Sequence, residues 1–187
     1  MEGTRWLDER QMAAWQGFLE ATSRVSRHVE QQLKEDAGLS HPQYEVLVRL
    51  AGAPGGELRM TDLAEGLFIS KSNLTYQVGQ LEKHGLVRRR SCPTDVRGIL
   101  AVLTEEGRDT LRAAAPGHVA AVRAALIDVL EPDETDTIAR ALGRVGARLR
   151  PPARNPEGME AAETEAAETE TQGAGSSESG GMSTSSS

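Results

Sequence analysis

A run of polar side chains between residues 70 and 83 could form hydrogen bonds to another molecule. Leu74, Val78 and Leu81 are spaced four and three apart, so they form the buried stripe of one helix. The polar or basic residues opposite or beside that stripe are Ser70, Lys71, Ser72, Asn73, Thr75, Tyr76, Gln77, Gln80 and Lys83. A helix fits the major groove of DNA, and side chains of these types bond to base edges and phosphates. The pattern therefore predicts a helix that contacts DNA.

A cationic hairpin follows this helix. Residues 87–90 and 99–103 have strand character, and the segment between them is rich in turn-forming residues. From Lys71 to Arg97 the chain holds six basic and two acidic side chains, a local charge of +4. The residues assigned to this second contact surface are Arg88, Arg89, Arg90, Asp95, Arg97 and Gly98. Arginine and lysine neutralise phosphates or enter a narrow minor groove, so the hairpin is predicted to bind DNA beside the helix.

No residue pattern points to catalysis or metal binding. The four histidines, His28, His41, His84 and His118, are not spaced to pair with a nucleophile or with a second metal ligand. The sequence also has no glycine-rich phosphate loop and no nucleophile elbow. We therefore expect no enzymatic activity, no metal and no cofactor.

The single cysteine, Cys92, lies next to the arginine run near the tip of the hairpin. Cationic neighbours favour the thiolate form of a cysteine, which is the reactive form. A redox-responsive regulator that uses Cys92 is therefore one alternative function. The other interpretation is a solvent-exposed thiol without a role. One cysteine cannot form an internal disulfide.

Two helices joined by a tight turn position the polar residues. The first is predicted from residue 60 to 67 with Thr61 as its N-cap. The second follows Ser70, which caps it, and ends at Gly85. This helix-turn-helix unit covers about residues 60–84, the hairpin covers about 87–103, and residues 57–59 are predicted to add a short third strand.

Long helices flank this unit on both sides. In residues 7–37, apolar side chains recur every three or four positions, which predicts one helix of about 45 Å. Past the hairpin, Thr104 is expected to cap a helix that Pro116 should kink or break. One face of the last helix carries Ile138, Leu142, Val145 and Leu149. These stripes exceed what one small core needs, so we expect part of them to pack on a second copy of the chain.

Three stretches of the chain match a known pattern, namely LSHPQYEVLVRL, LAEGLFISKSNLTYQVGQLEKHGLVRR and CPTDVRGILAVLTEEG. Through them the chain from about Met12 to Arg150 resembles the MarR family, whose members are dimeric winged helix-turn-helix transcription factors. The resemblance implies a mainly α fold with a small β-hairpin wing. It implies a winged helix-turn-helix domain over residues 38–103, with dimerisation helices at residues 7–37 and 104–150.

The same resemblance assigns roles at the wing and in the DNA-contacting helix. It implies that Arg97 enters the minor groove and that Asp95 holds the tip of the hairpin or Arg97 in place. The chain departs from the family at Tyr76, where the family often has Arg, and at Gly79, where it often has an acidic residue. Both departures bear on which bases are contacted.

Acidic charge is concentrated in the last part of the chain. The formal charge is −7, but residues 1–150 hold 20 basic and 21 acidic side chains, whereas residues 151–187 hold one basic and seven acidic. We expect this Ser/Gly-rich tail to be disordered, with competition against DNA for the basic surface as an alternative role. No apolar run reaches the length of a membrane span and the first residues are acidic, so we expect a cytoplasmic protein with no membrane contact.

These observations predict a homodimeric repressor that binds a pseudo-palindromic site in double-stranded DNA and is released by a small phenolic or other aromatic ligand. The candidate pocket, where the long helices meet the winged domain, is lined by Trp15, Phe18, Arg27 and Tyr44. A simple core or surface role is the alternative for each of these residues. The alternative function is a protein-docking module without DNA binding. An apolar outer face on the second helix would favour docking, and that face is polar.

Overall fold

The computed structural model of the protein describes residues 3–93 and 95–149, without the side chains of Val96 and Arg97. Six α-helices and three strands occur in this part of the chain. They are α1 (Glu9–Ala37), α2 (His41–Ala51), β1 (Glu57–Arg59), α3 (Met60–Gly66), α4 (Lys71–Lys83), β2 (Val87–Cys92), β3 (Asp95–Leu103), α5 (Glu105–Ala125) and α6 (Pro132–Leu149). The predicted fold class, mainly helical with a small β wing, is confirmed. The predicted disordered tail, residues 151–187, lies outside the described residues.

The chain divides into two compact units, one ending at Thr135 and one beginning at Asp136. In the first unit an antiparallel sheet has β3 at its centre, with β1 on one side and β2 on the other. The predicted third strand at residues 57–59 is therefore confirmed. The buried core of this unit joins α1, α2, α3, α4 and the sheet, and its largest fully buried side chains are Leu33, Leu47, Leu50, Leu63, Leu74 and Leu81.

Side-chain caps set the beginnings of several helices. Ser70 accepts a hydrogen bond from the Asn73 N–H, and Thr104 accepts one from the Gly107 N–H, so both predicted N-caps are confirmed. The predicted cap at Thr61 is wrong. The strand β1 runs directly into α3, so the helix begins at Met60 and Thr61 already lies inside it.

Helix α5 continues through Pro116 and ends at Ala125. The break that we expected at this proline is therefore absent, although proline removes one helical hydrogen bond and clashes with the preceding turn. Ala114 and His118 are buried on either side of Pro116, and α5 packs along α1. We attribute the unbroken helix to this packing, which offsets the cost of the proline.

Two helices expose large apolar side chains to solvent. In α1 these are Met12, Trp15, Phe18 and Leu19. Helix α6 buries no residue at all, and Leu142, Val145 and Leu149 are 45%, 51% and 75% exposed. Contiguous apolar patches on a soluble protein mark surfaces that bind another molecule. Neither apolar face is covered by the described part of this single chain.

No single helix among the described residues is long and apolar enough to cross a membrane. The segments Glu105–Val129 and Pro132–Leu149 reach the required length and hydropathy only when they are taken together.

Candidate nucleic-acid interface

Helix α4 separates an apolar face from a polar face, as its sequence predicts. Leu74, Val78 and Leu81 are each at most 1% exposed. The residues that are exposed on the remaining surface are Lys71, Ser72, Asn73, Thr75, Tyr76, Glu82 and Lys83, and Gln77, Gly79 and Gln80 are half-buried. Because burial of one face fixes the helix on the core, the polar face is presented as a rigid surface that can enter a groove.

Several side chains of this polar face are hydrogen-bonded within the helix. The Thr75 hydroxyl donates to the Lys71 carbonyl at 2.8 Å, and the Gln77 amide donates to Asn73 Oδ1 at 3.1 Å. The hydroxyl oxygens of Ser70 and Ser72 are 3.0 Å apart. Tyr76 is 62% exposed, so its ring and hydroxyl project from a helix whose other polar side chains are held in place.

The three consecutive arginines of the wing have different surroundings. Arg88 is exposed and forms no hydrogen bond or ion pair with the described residues. Arg90 makes two hydrogen bonds to the Glu57 carboxylate on β1, at 3.2 and 2.6 Å. Arg89 is bonded to α4 through Thr75 and Glu82. The cationic character of the wing is therefore partly compensated by carboxylates that sequence reasoning did not assign to it.

A second ion pair joins the start of β3, next to the tip of the wing, to β1. Arg59 Nη1 lies 2.7 Å from Asp95 Oδ2. The predicted role of Asp95 in holding the tip or Arg97 in place stays a prediction. Gly98 is required for close packing, because a Cβ at this position would lie 2.9 Å from both Asp95 Oδ2 and Cys92 Cβ. The side chain of Arg97 lies outside the described residues, and its insertion into the minor groove remains a prediction.

Cys92 is 9% exposed and packs with Leu100 and Val102. The expectation of a solvent-exposed thiol is therefore wrong, because strand alternation places Cys92 on the face of the sheet where Leu100 and Val102 lie. Burial limits the access of oxidants to the thiol. This position gives less support to redox sensing than the sequence alone does.

Of the four predicted pocket residues, Trp15 and Phe18 lie far from Tyr44 within one copy of the chain, and Arg27 is exposed on α1. Trp15 and Phe18 stack on each other with ring centroids 6.2 Å apart, on the exposed face of α1. Tyr44 is buried on α2, which contacts α1 where the His41 N–H donates to Glu30. Glu30 is 15 residues beyond Trp15 on the same helix, which corresponds to about 22 Å. Helical periodicity identifies a face of α1, but not the level at which α2 crosses it.

A polar junction between α1, α2 and α5 surrounds Tyr44 instead. Its ring centroid is 4.4 Å from that of His118, which is 5.7 Å from the ring of His41. Burial lowers the pKa of His118, and the neighbouring His41 lowers it further, whereas Glu45 raises it. Burial also raises the pKa of Tyr44. The junction therefore favours a neutral imidazole beside a neutral phenol.

Two buried polar atoms at this junction have no hydrogen-bond partner, namely His118 Nδ1 and Gln32 Oε1. Sequence reasoning missed both residues. The spacing of His41 and Tyr44, three apart on one helix, was the available indication that a polar pair faces inward. Within residues 3–93 and 95–149, no three His, Cys, Asp or Glu side chains are grouped so that they could hold a metal ion.

Comparisons with known proteins agree with this geometry. A family model described as "MarR family" matches residues 37–98. The chain is 30% identical over 127 residues to the HTH-type transcriptional repressor YetL of Bacillus subtilis, covering 68% of this chain and 75% of that protein. Among solved structures, it is similar to Sco3205, a MarR family transcriptional regulator from Streptomyces coelicolor in complex with DNA. The identity is 41%, the TM-score is 0.78, and the match covers 81% of this chain and 95% of the other. It is also 41% identical to AbsC of the same organism, with a TM-score of 0.75 and coverage of 79% and 99%.

Proposed function

The chain belongs to the MarR family of DNA-binding transcription regulators, and on that premise we propose that it is a homodimeric repressor of a pseudo-palindromic operator, released by a small aromatic ligand. In this proposal α4 enters the major groove and the wing follows the adjacent backbone and minor groove. The observation that carries it is the exposed polar face of α4 beside the exposed Arg88. Helix-turn-helix proteins place a helix of this kind against base edges.

The dimer is supported by the two uncovered apolar faces. The first third of α1, residues 9–19, and the second half of α6, residues 142–149, expose large apolar side chains. Charged residues occupy the other sides of both helices. A two-fold dimer would bury these faces and present two α4 helices at once. Two recognition helices bind half-sites about one helical turn of DNA apart, which accounts for a pseudo-palindromic operator.

A protein-docking module is the competing function, and the exposed surface of α4 argues against it. Docking helices present apolar anchors, whereas Tyr76 is the one large ring on the exposed face of α4. The two functions differ in their response to salt. We expect operator affinity to fall steeply as salt rises, because phosphate contacts release counterions, and a docking surface of this composition would respond weakly.

Tyr76 and Lys83 test the division between base reading and phosphate contact. Tyr76→Ala is expected to change the selected base at one position of each half-site, because the ring can bond to a base edge or pack on a thymine methyl group. Lys83→Ala is expected to weaken all sequences alike and to reduce the salt slope by about one unit. Binding-site selection followed by salt titration measures both effects. If the selected motif stayed the same in Tyr76→Ala, we would assign the base contacts to Ser72, Asn73, Thr75 or Gln77.

The junction of Tyr44, His41 and His118 is the place where we propose that the ligand binds. The unpaired polar atoms of His118 and Gln32 could bond to a phenol or carboxyl group, and Tyr44 offers an apolar ring and a hydroxyl group that could donate to the ligand. The junction joins α5 and α1 to the winged domain through α2. A ligand that bound one arrangement of the junction a hundredfold more tightly would supply a coupling free energy of about 2.7 kcal/mol. That free energy would favour one spacing of the two α4 helices over another.

Substitutions of Tyr44 and Trp15 distinguish a ligand bound at the junction from a ligand bound on the exposed face of α1. Tyr44→Phe is expected to raise about tenfold the concentration of a salicylate-like compound that releases the operator, because it removes one hydrogen bond. Trp15→Phe is the matched control and should leave that concentration unchanged. A DNA-release titration across a panel of phenols measures both. Operator complexes that persist at millimolar concentrations of every compound, yet dissociate on mild oxidation, would favour Cys92 as the sensor.

A further inference from the structure

Arg89 connects the wing to the helix that faces DNA. It lies on β2, and its Nη2 donates a hydrogen bond to the carbonyl oxygen of Thr75 at 2.9 Å. Its backbone N–H donates to Glu82 Oε1 at 3.1 Å, and its Nε lies 3.8 Å from Glu82 Oε2. Thr75 and Glu82 are seven residues apart, so these contacts hold α4 to the wing across about two helical turns.

Gly79 lies beside the contact of Arg89 with Thr75. In a helix, a side chain covers the turn on the N-terminal side of its own Cα, so residue 79 would cover the carbonyl of residue 75. A Cβ at Gly79 would lie 3.4 Å from Arg89 Nη2, so the guanidinium packs directly against the open face of this glycine. Glycine inside a helix is destabilising relative to alanine. The contact of Arg89 with the uncovered carbonyl offsets this cost.

Arg88 and Arg89 are adjacent in sequence but differently placed. Arg88 is exposed and makes no ion pair with the described residues, whereas the side chain of Arg89 is 31% exposed and its charge lies beside Glu82. A guanidinium that is already bonded to a helix carbonyl and paired with a carboxylate is poorly available to phosphate. Among the wing arginines whose side chains the structure describes, Arg88 is the one that is available to phosphate.

We propose that Arg89 is a positioning residue that fixes the orientation of α4 for the major groove, and that Gly79 is the residue that admits it. This inference depends on the proposed DNA binding through α4. Tyr76 directly follows the anchored residue Thr75, so a rotation of α4 about its axis would move the ring relative to the bases. Arg89 therefore acts on base preference without touching DNA.

Salt dependence separates positioning from phosphate contact. Arg89→Ala is expected to weaken operator binding about tenfold, equivalent to about 1.4 kcal/mol, and to relax base preference next to Tyr76. The slope of log affinity against log salt should stay unchanged, because no phosphate contact is lost. Arg88→Ala is the matched control, and its slope should fall by about one unit. A fall of about one unit for Arg89→Ala would overturn the proposal.

A double-mutant cycle with Gly79→Ala tests the second part. Gly79→Ala alone should weaken binding about tenfold while the melting temperature is kept or raised, since alanine favours the helix. In the Arg89→Ala background the same change should have no further effect on binding. An equal loss in both backgrounds would mean that the new methyl group collides with DNA directly, and would overturn the proposal.

A measurement on the free protein keeps this inference separate from the DNA-binding proposal. With ¹⁵N-labelled arginine, the side-chain N–H protons of Arg89 should exchange more slowly than those of Arg88 in the unmodified protein, and as fast as Arg88 in Gly79→Ala. Rapid exchange at Arg89 in the unmodified protein would overturn the contact itself. If the contact is present and the protein binds no DNA, the proposed function fails instead.

Discussion

Leu19→Glu in α1 and Val145→Glu in α6 are each expected to convert the proposed homodimer into a monomer and to weaken operator binding by about 10²–10⁴-fold. Both side chains are large, apolar and about half exposed in the single chain. Burying a carboxylate in an apolar interface without a partner is strongly unfavourable. In a dimer, binding of one subunit to its half-site raises the effective concentration of the other subunit at the second half-site. A monomer loses this gain, which is the source of the predicted loss of affinity. Sedimentation analysis and operator titration measure the two effects.

Ala21→Glu and Ala147→Glu are the matched controls for this experiment. They introduce the same charge into the same two helices, at exposed positions on the sides away from the apolar faces. Both should remain dimeric and bind the operator normally. Variants of Leu19 and Val145 that still sediment as dimers and bind with full affinity would show that these faces are not the subunit interface.

Gly107→Ala is expected to destabilise the winged domain by about 2–4 kcal/mol. A Cβ at this position would lie 2.1 Å from the backbone oxygen of Leu86 and 2.8 Å from Leu103 Cδ1, so the backbone itself must move. That movement would disturb the cap of α5, where the Thr104 N–H and hydroxyl both donate to the Leu86 carbonyl. Urea unfolding monitored by circular dichroism gives the free energy of unfolding.

Gly143→Ala is the control for Gly107→Ala. A Cβ at Gly143 meets no atom within 4 Å, and the residue lies inside α6. Alanine is a better helix former than glycine by about 1 kcal/mol, so this variant should be slightly more stable than the unmodified protein. If Gly107→Ala were as stable as Gly143→Ala, the close approach of α5 to Leu86 would not matter for folding.

The features that sequence reasoning placed correctly are local in the chain. The stripe of Leu74, Val78 and Leu81 follows from spacing within one helix, and the caps Ser70 and Thr104 act on residues three positions away. For the same reason, the spacing predicts the polar face of α4 without knowledge of any tertiary contact. Local rules alone also give errors, as at Thr61, because the incoming strand decides where α3 begins.

The features that sequence reasoning missed depend on residues distant in sequence. Glu57 pairs with Arg90 across 33 residues, and no spacing rule connects them. The polar junction needs His118 from α5 to meet Tyr44 from α2, which depends on how three helices cross. Gly107 is an ordinary helix residue in the sequence, and only the position of Leu86 shows why a side chain cannot fit there.

Binding-site selection from random DNA fragments by the purified full-length protein tests the central claim most directly. We expect one enriched inverted repeat whose half-sites are about 10 base pairs apart, bound by one dimer, with affinity that falls steeply as salt rises. Tyr76→Ala should change the selected base at symmetric positions of the two half-sites. A folded protein that enriches no motif over the input fragments would contradict the account of a sequence-specific regulator, and so would a single unrepeated site bound by a monomer.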